Sequence, residues 1–339
     1  MPFRIGIIGA GNISETHARA ASALPDVEIA AVFGGNRDRA IRLASAYGAP
    51  AAPDLQTFFA TPMDAVAIGS PSGLHAGQGI EAARRGIHVI VEKPVDVTPE
   101  RADALIAAAD SAGVLVGVFF QDRAQPDILT LRHAVHGGRI GKPLLASARV
   151  KWYRPPEYYA QSRWRGTWAL DGGGALMNQG IHTVDLLQWV LGPVRRVAGK
   201  TATLLHRIEV EDTAVAIMEF ESGAVATLEA TTAAFPGYKR RVEITGSEGT
   251  LVLEHDRLVQ VDLRQPADDL ATVTAQDSNV SASSPVVSDV RGHQRILEDF
   301  IDAVRTGRDA ACSAREGRKS VALVCAIYEA SRSGTWVTI

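Results

Sequence analysis

Cysteine is nearly absent from this chain: 339 residues contain two, Cys312 and Cys325. Both fall in helix-patterned sequence near the C-terminus. No structural disulfide is expected, and a reducing cytoplasm is the expected home. No apolar run approaches the roughly 18 residues of a membrane span, so no membrane role is expected. Met1-Pro2-Phe3-Arg4 runs straight into a strand pattern, and no signal peptide is read there. Positive charge is not in excess. Lysine and arginine total 35 against 38 acids, a net charge of −3, so nucleic acid is not an expected partner. Aromatics are only 6% of the chain, which makes the concentration of them from Tyr153 to Trp168 conspicuous. Repeats and low-complexity linkers are missing too.

What is present is length enough for two domains and a clear change of pattern along the chain. Up to about residue 122, short apolar runs alternate with helical stretches. Strands are expected at Phe3–Ile8, Val27–Phe33, Ala65–Ile68, His88–Val91 and Val114–Phe119. Helices are expected at Ile13–Ala23, Asp38–Tyr47, Leu74–Arg85 and from Thr98-Pro99 to Gly113. Thr98 is placed to cap the last of these and Pro99 to open it. Such β-α repeats predict a parallel sheet covered on both faces. Beyond a helix at Asp127–His136 the strands follow one another through short turns: Leu144–Trp152, Val194–Leu205, Thr213–Phe220, Ala224–Thr232, Arg240–Thr245 and Gly249–Glu254. This spacing predicts a mostly antiparallel sheet. One helix is expected from Ala175 to Leu191, a loop or edge segment over Gln265–Ser288, and closing helices at His293–Arg305 and Ala314–Ser331. The domains are set at 1–122 and 123–339, with the closing helices free to return to the first domain.

Three features carry chemistry. The first strand runs into Gly9-Ala10-Gly11-Asn12-Ile13-Ser14, a G-x-G-x-x-G/A pattern with serine in the last slot. Glycine at 9 permits the tight turn, glycine at 11 admits a diphosphate, and the helix that follows offers its positive end. The pattern is weak alone, but here it opens a β-α series, so a dinucleotide is the expected ligand. The second strand lacks the terminal acid that would hold the ribose 2′-hydroxyl of NAD. Gly34 and Gly35 leave room for a 2′-phosphate and Arg37 could pair with it, a slight lean towards NADP. A solvated Arg37 reads nearly as well, and the cofactor is left as NAD(P).

The second feature is Glu92-Lys93-Pro94, a charged pair at the end of the apolar run His88–Val91. Ligands bind outside the carboxyl ends of such strands. Lys93 reads there as an acid/base group, as a phosphate-binding charge, or as an ion-pair partner of Glu92. The third is Asn178-Gln179-Gly180-Ile181-His182-Thr183-Val184-Asp185, behind Gly172-Gly173-Gly174. On a helix Asn178 and His182 share a face, and Asp185 is spaced to steady the imidazole. The glycine triplet implies backbone held close to something. No metal is expected, since Asn178 and His182 make a poor ligand pair.

Together with Pro71-Ser72-Gly73-Leu74-His75, Phe120-Gln121-Asp122-Arg123, Gly138-Arg139-Ile140-Gly141-Lys142-Pro143 and Trp164-Arg165-Gly166-Thr167-Trp168, these motifs make nearly the whole chain resemble the glucose–fructose oxidoreductase and inositol dehydrogenase family (Gfo/Idh/MocA). The resemblance implies an α/β fold: an N-terminal Rossmann doubly wound parallel sheet, then an α+β domain with a large, open, mostly antiparallel sheet. It implies a nicotinamide cofactor, a sugar, polyol or sugar-derivative substrate, and a homodimer or homotetramer. Carried over by position, Lys93 and His182 are the catalytic pair. Gly9, Gly11, Asn12, Ile13, Arg37, Ser70, Pro71, His75, Glu92, Lys93, Gln121, Trp164 and Arg165 line the cofactor. Lys93, Arg123, Tyr153, Asn178 and His182 face the substrate, with Tyr153, Tyr158, Trp164 and Trp168 able to stack on a sugar ring or simply to pack. One departure stands out: Asn178 occupies a position where many sugar dehydrogenases of the family carry aspartate, which moves any proton chemistry to Lys93 and His182. The expected activity is NAD(P)-dependent hydride transfer at a CH–OH group. The alternatives are a sugar sensor that binds the dinucleotide without catalysis, and a hydrolase or lyase that uses bound NAD as a transient oxidant.

Overall fold

The computed structural model describes residues 1–265, 270 and 289–339. The expected Gln265–Ser288 loop therefore lies almost wholly outside the described residues. The chain forms two compact units. One begins at Met1–Gln121 and takes in the segment ending at Arg318; the other begins at Asp122 and takes in Lys319–Ile339.

The first unit carries a parallel sheet of β1 (Phe3–Ile8), β2 (Val27–Phe33), β3 (Ala65–Ile68), β4 (His88–Val91) and β5 (Val116–Val118) in the order β2-β1-β3-β4-β5. Its strands read as largely apolar runs, with Arg4, Glu28 and His88 near their starts, because both faces are covered: Ile7, Val32, Val66, Val89 and Val91 have no accessible surface. The covering helices are α1 (Asn12–Ser22), α2 (Arg37–Ala46), α3 (Leu55–Ala60), α4 (His75–Ala83) and α5 (Pro99–Ala112). Helix α5 has the predicted ends: Thr98 Oγ1 accepts the Arg101 amide, Pro99 opens the helix, and Gly113 closes it at φ +67°. The order of strands reverses between β1 and β3, so the loops after β1, β3, β4 and β5 share the edge where an open α/β sheet binds its ligands.

The second unit opens with α6 (Pro126–His136), β6 (Pro143–Lys151) and α7 (Pro156–Ala160). Its sheet of eight strands adds β7 (Val194–Ala202), β8 (Thr213–Phe220), β9 (Val225–Thr231), β10 (Arg241–Gly246), β11 (Gly249–Glu254), β12 (Arg257–Leu263) and β13 (Val337–Thr338). The sheet is antiparallel except where β6 lies parallel to β9 in mid-sheet, a pairing the order of strands along the chain does not announce. Strand β7 stops three residues short of the expected Leu205. The Asp212 carboxylate accepts the amides of Leu204, Leu205 and His206 and draws them out of the ladder.

The single helix expected over Ala175–Leu191 is two pieces. Ala175–Gly180 is a π-helical turn, in which Gln179 N donates to Gly174 O, and α8 (Ile181–Leu191) follows. Helix α9 (Arg291–Thr306) belongs to the first unit. The division between units falls within α10 (Ala314–Ser333).

Candidate active site

In the first unit the glycine loop has the geometry its sequence predicts. Gly9 stands at φ +120°, and a Cβ there would fall 2.3 Å from Ser14 Oγ and 2.7 Å from the Gly69 carbonyl oxygen. Only glycine can turn that corner. Gly11 caps α1 with no side-chain hydrogen bond, and a Cβ on it would meet nothing within 4 Å. Space and helix amides are thus left where a diphosphate would sit, and Asn12 and Ile13 begin the helix at that point. The two glycines after β2 differ in kind. Gly34 packs on Ala10, with a Cβ separation of 2.7 Å if substituted, and Gly35 faces open space. Asn36 caps α2 by accepting the Arg39 amide, and Arg37 is the first residue of that helix.

The loops after β3, β4 and β5 are tied together by their own side chains. His75 sets Nδ1 2.8 Å from the Pro94 carbonyl oxygen and Nε2 2.9 Å from that of Ser70. It lies between the two loops, with its N–H able to tie one of them. Ser70 Oγ donates to Gln78 Oε1 at 2.6 Å, and Pro71 leads into the 3-10 turn Ser72–Leu74. Gln121 opens a second 3-10 turn after β5. The Lys93–Pro94 peptide bond is cis.

Glu92 is buried, and sequence spacing gives no hint of its partners. His17 Nε2 lies 3.0 Å and His293 Nε2 3.3 Å from Glu92 Oε1, while Glu92 Oε2 accepts the Lys93 amide at 3.1 Å. Burial alone would raise the Glu92 carboxyl. The two imidazole contacts outweigh it and hold the group well below the usual carboxylate range. His17, stacked on Phe119 at 4.4 Å, is lowered by burial despite Glu92.

In the second unit the glycine triplet finds its explanation. Gly173 stands at φ +152°, where a Cβ would collide with Tyr328 Oη at 1.9 Å; one on Gly174 would collide with the Glu211 carbonyl at 2.1 Å. The close neighbour implied by the triplet is therefore this pair, not a ligand. Glu211 holds the start of the π turn: its carboxylate accepts the amides of Gly174 (3.1 Å) and Leu176 (2.8 Å) and the Tyr328 hydroxyl (2.9 Å). Burial overrides those bonds and pushes the Glu211 carboxyl up to about 7. The π turn carries Asn178, whose Nδ2 donates to Asp171 and whose Oδ1 accepts from Gln179 Nε2 at 2.5 Å. Gln179 Oε1 in turn accepts from Arg154 Nε at 3.1 Å and Nη2 at 2.8 Å.

His182 and Asp185 do not form the pair their spacing suggests. Asp185 takes a bidentate ion pair from Arg123 (2.8 and 2.7 Å) and a hydrogen bond from Ser320 at 3.0 Å. Asp122 Oδ1 lies 3.8 Å from His182 Nδ1, and Asp122 is itself paired with the buried Arg240 at 2.5 Å. Arg123 is buried against Asp185 and over the Trp189 ring, which argues against the substrate contact expected for it. Tyr153 meets Phe235 edge-on at 5.2 Å, and Trp168 meets Tyr328 likewise at 5.2 Å. Arg165 lies over the rings of Tyr158 (4.4 Å) and Trp164 (5.4 Å). Asp122, Glu211, His17 and His293 were not singled out by sequence reasoning.

Two family models match the chain. Residues 3–120 match the model of an oxidoreductase family with an NAD-binding Rossmann fold, and residues 128–252 match the GFO/IDH/MocA C-terminal domain. The chain belongs to the GFO/IDH/MocA family. It is an oxidoreductase whose first unit is a dinucleotide-binding Rossmann domain. Among solved structures it is similar to the WlbA dehydrogenase of Bordetella pertussis in complex with NADH and UDP-GlcNAcA: 32% identity, TM-score 0.91, covering 100% of this chain and 99% of the other. The WlbA dehydrogenase of Chromobacterium violaceum, with the same two ligands, follows at 31% identity and TM-score 0.90, covering 100% and 96%. Inositol 2-dehydrogenase of Rhizobium meliloti is 28% identical over 331 residues, 95% of each chain. Among the described residues no helix is long and apolar enough to cross a membrane.

Proposed function

We propose that this enzyme transfers a hydride between a nicotinamide dinucleotide and a secondary alcohol or ketone of a sugar, polyol or sugar derivative. The observation that carries the proposal is the shared sheet edge. Lys93 leaves β4 at the same edge where Gly9 and Gly11 leave β1, with its backbone amide fixed by Glu92. UDP-GlcNAcA in the WlbA complexes and the inositol dehydrogenase relative support the substrate class. A bound nicotinamide dinucleotide would supply the hydride acceptor or donor. The α1 amides and the open space at Gly11 would hold its diphosphate, with Ser70, Pro71, Gln121, Trp164 and Arg165 as further contacts. NADH in the solved neighbours weighs for NAD and against the NADP lean drawn from Arg37.

Lys93 polarises the reacting oxygen and stabilises negative charge on it. His182 takes the hydroxyl proton in oxidation and returns it in reduction. Asn178, committed at both ends of its amide, orients this region rather than serving as a base. Tyr153 lines the sugar. We further propose a homodimer or homotetramer: Leu145 on β6 stands opposite Val225 on β9, and Val215 and Ile217 are exposed on the adjacent β8. The cytoplasmic location remains part of the same proposal and rests on the scarcity of cysteine.

UDP-GlcNAcA and myo-inositol, each with NAD and with NADP, are the first substrates to follow by reduced-nicotinamide absorbance. Lys93→Met should lower turnover by about 10²–10³-fold, the cost of losing one group that stabilises a developing oxyanion, with NADH affinity preserved. Near-normal turnover in that variant would overturn the role of Lys93. Substrate loss without net reduced nicotinamide would point instead to bound NAD as a transient oxidant.

A further inference from the structure

His17, Glu92 and His293 come from α1, the end of β4 and α9, and all three are buried. Their ligand atoms lie within 4.8 Å of one another, a donor set that a zinc ion could also use. Two observations decide against the ion. A histidine bound to metal through one nitrogen nearly always donates the other N–H to an acceptor. Here Nδ1 of His17 and Nδ1 of His293 are both buried with no hydrogen-bond partner among the described residues. A proton on either would be sealed in without an acceptor, at a cost of the kind that buried polar groups avoid. The separations of 3.0 and 3.3 Å from Nε2 to Glu92 Oε1 are those of hydrogen bonds. Each imidazole thus carries its proton on Nε2 and gives it to the same carboxylate oxygen. That leaves the second oxygen to receive the Lys93 amide at 3.1 Å.

We propose that His17 and His293 are positioning residues for Lys93: together they clamp one oxygen of Glu92, and the other oxygen fixes the backbone from which the Lys93 side chain departs. The proposal rests on the reading of Lys93 as the working lysine. It extends that reading to two histidines 75 and 201 residues from Glu92 in sequence. The aromatic setting supports it. His17 stacks on Phe119, and His293 lies 5.4 Å from the same ring, so the packing sets both imidazole planes before Glu92 is reached.

The test has two arms, and neither needs a known substrate. Nitrogen-15 histidine spectra of the wild-type protein with saturating NADH should show both residues as Nε2–H tautomers, and elemental analysis should find no stoichiometric transition metal. An Nδ1–H tautomer at either residue, or one equivalent of bound zinc, would overturn the proposal. In the second arm Lys93 acylation by acetic anhydride is followed by mass spectrometry in the NADH-bound protein. His293→Leu should change the Lys93 rate roughly tenfold, the equivalent of one lost hydrogen bond. His293→Gln, which keeps an N–H donor, should restore it. An unchanged Lys93 rate in a folded His293→Leu protein would refute the positioning role. If that variant does not fold, the wild-type tautomers still decide. Full turnover by Lys93→Met would sink the catalytic reading of the lysine and leave both of these readouts standing.

Discussion

Two buried glutamates, one in each unit, meet opposite fates. Glu92 and Glu211 are 5% and 2% exposed, and burial pushes both carboxyls upward. Glu92 ends well below the ordinary range; Glu211 ends near 7. The number of donors does not favour Glu92, which has no more than Glu211. Their kind does. Glu92 faces two imidazole Nε2–H donors on one oxygen, and Glu211 faces two backbone amides and a phenol. Burial sets the cost, and the chemistry of the donors decides whether the charge survives it. A permanent anion suits the root of Lys93. A carboxyl that can take a proton near neutrality sits at the start of the turn that carries Asn178.

Removing a donor should therefore cost more in the first unit than in the second. His17→Leu leaves Glu92 charged with a single imidazole, and stability should fall by about 3 kcal/mol, read as a drop in denaturant midpoint. Loss below 1 kcal/mol would mean that Glu92 is not charged.

The Glu211 carboxyl should show itself in the pH dependence of stability. Its folded-state value lies above its unfolded one, so the folded protein keeps a proton that the unfolded chain has released. The contribution is best in acid, is lost as pH rises from 4.5 to about 7, and is flat above that. The full swing is on the order of 3 kcal/mol. Melting temperatures of wild type and Glu211→Gln, compared from pH 5 to pH 8, should diverge by that component; parallel curves would remove it.

Asn178→Asp tests whether asparagine is a simple loss of the family's acid. Asp171 takes a hydrogen bond from the Asn178 amide, and a second carboxylate there would remove the donor and repel. A cost of about 2 kcal/mol is expected, recovered in Asn178→Asp/Asp171→Asn. The smallest effect is Tyr328→Phe, about 1 kcal/mol for one neutral hydrogen bond, with Glu211 titrating at still higher pH.

The elements themselves were legible wherever one pattern dominated. β1, β2, β3 and β4 fall on the expected residues because burial on both faces writes a largely apolar run. Thr98, Pro99 and Gly113 marked the ends of α5, since caps are local. The motifs pointed to Lys93 and His182, but their surroundings were hidden. Tyr328 reaches Glu211 across 117 positions and His293 reaches Glu92 across 201. Spacing favoured Asp185 beside His182, and the fold gave Asp185 to Arg123 because a bidentate guanidinium satisfies both oxygens of a buried carboxylate. The π turn escaped periodicity for a similar reason: it is held by Glu211, from outside its own sequence.

Carbon-13 spectra of the glutamate side-chain carboxyls, recorded from pH 5 to pH 9 on wild type and on Glu92→Gln and Glu211→Gln for assignment, address the contrast most directly. The Glu211 resonance should move with a midpoint of about 7 while that of Glu92 stays at its ionised position throughout. A flat Glu211, or a Glu92 that titrates within that window, would contradict the claim that donor chemistry rather than burial sets the charge of these two groups.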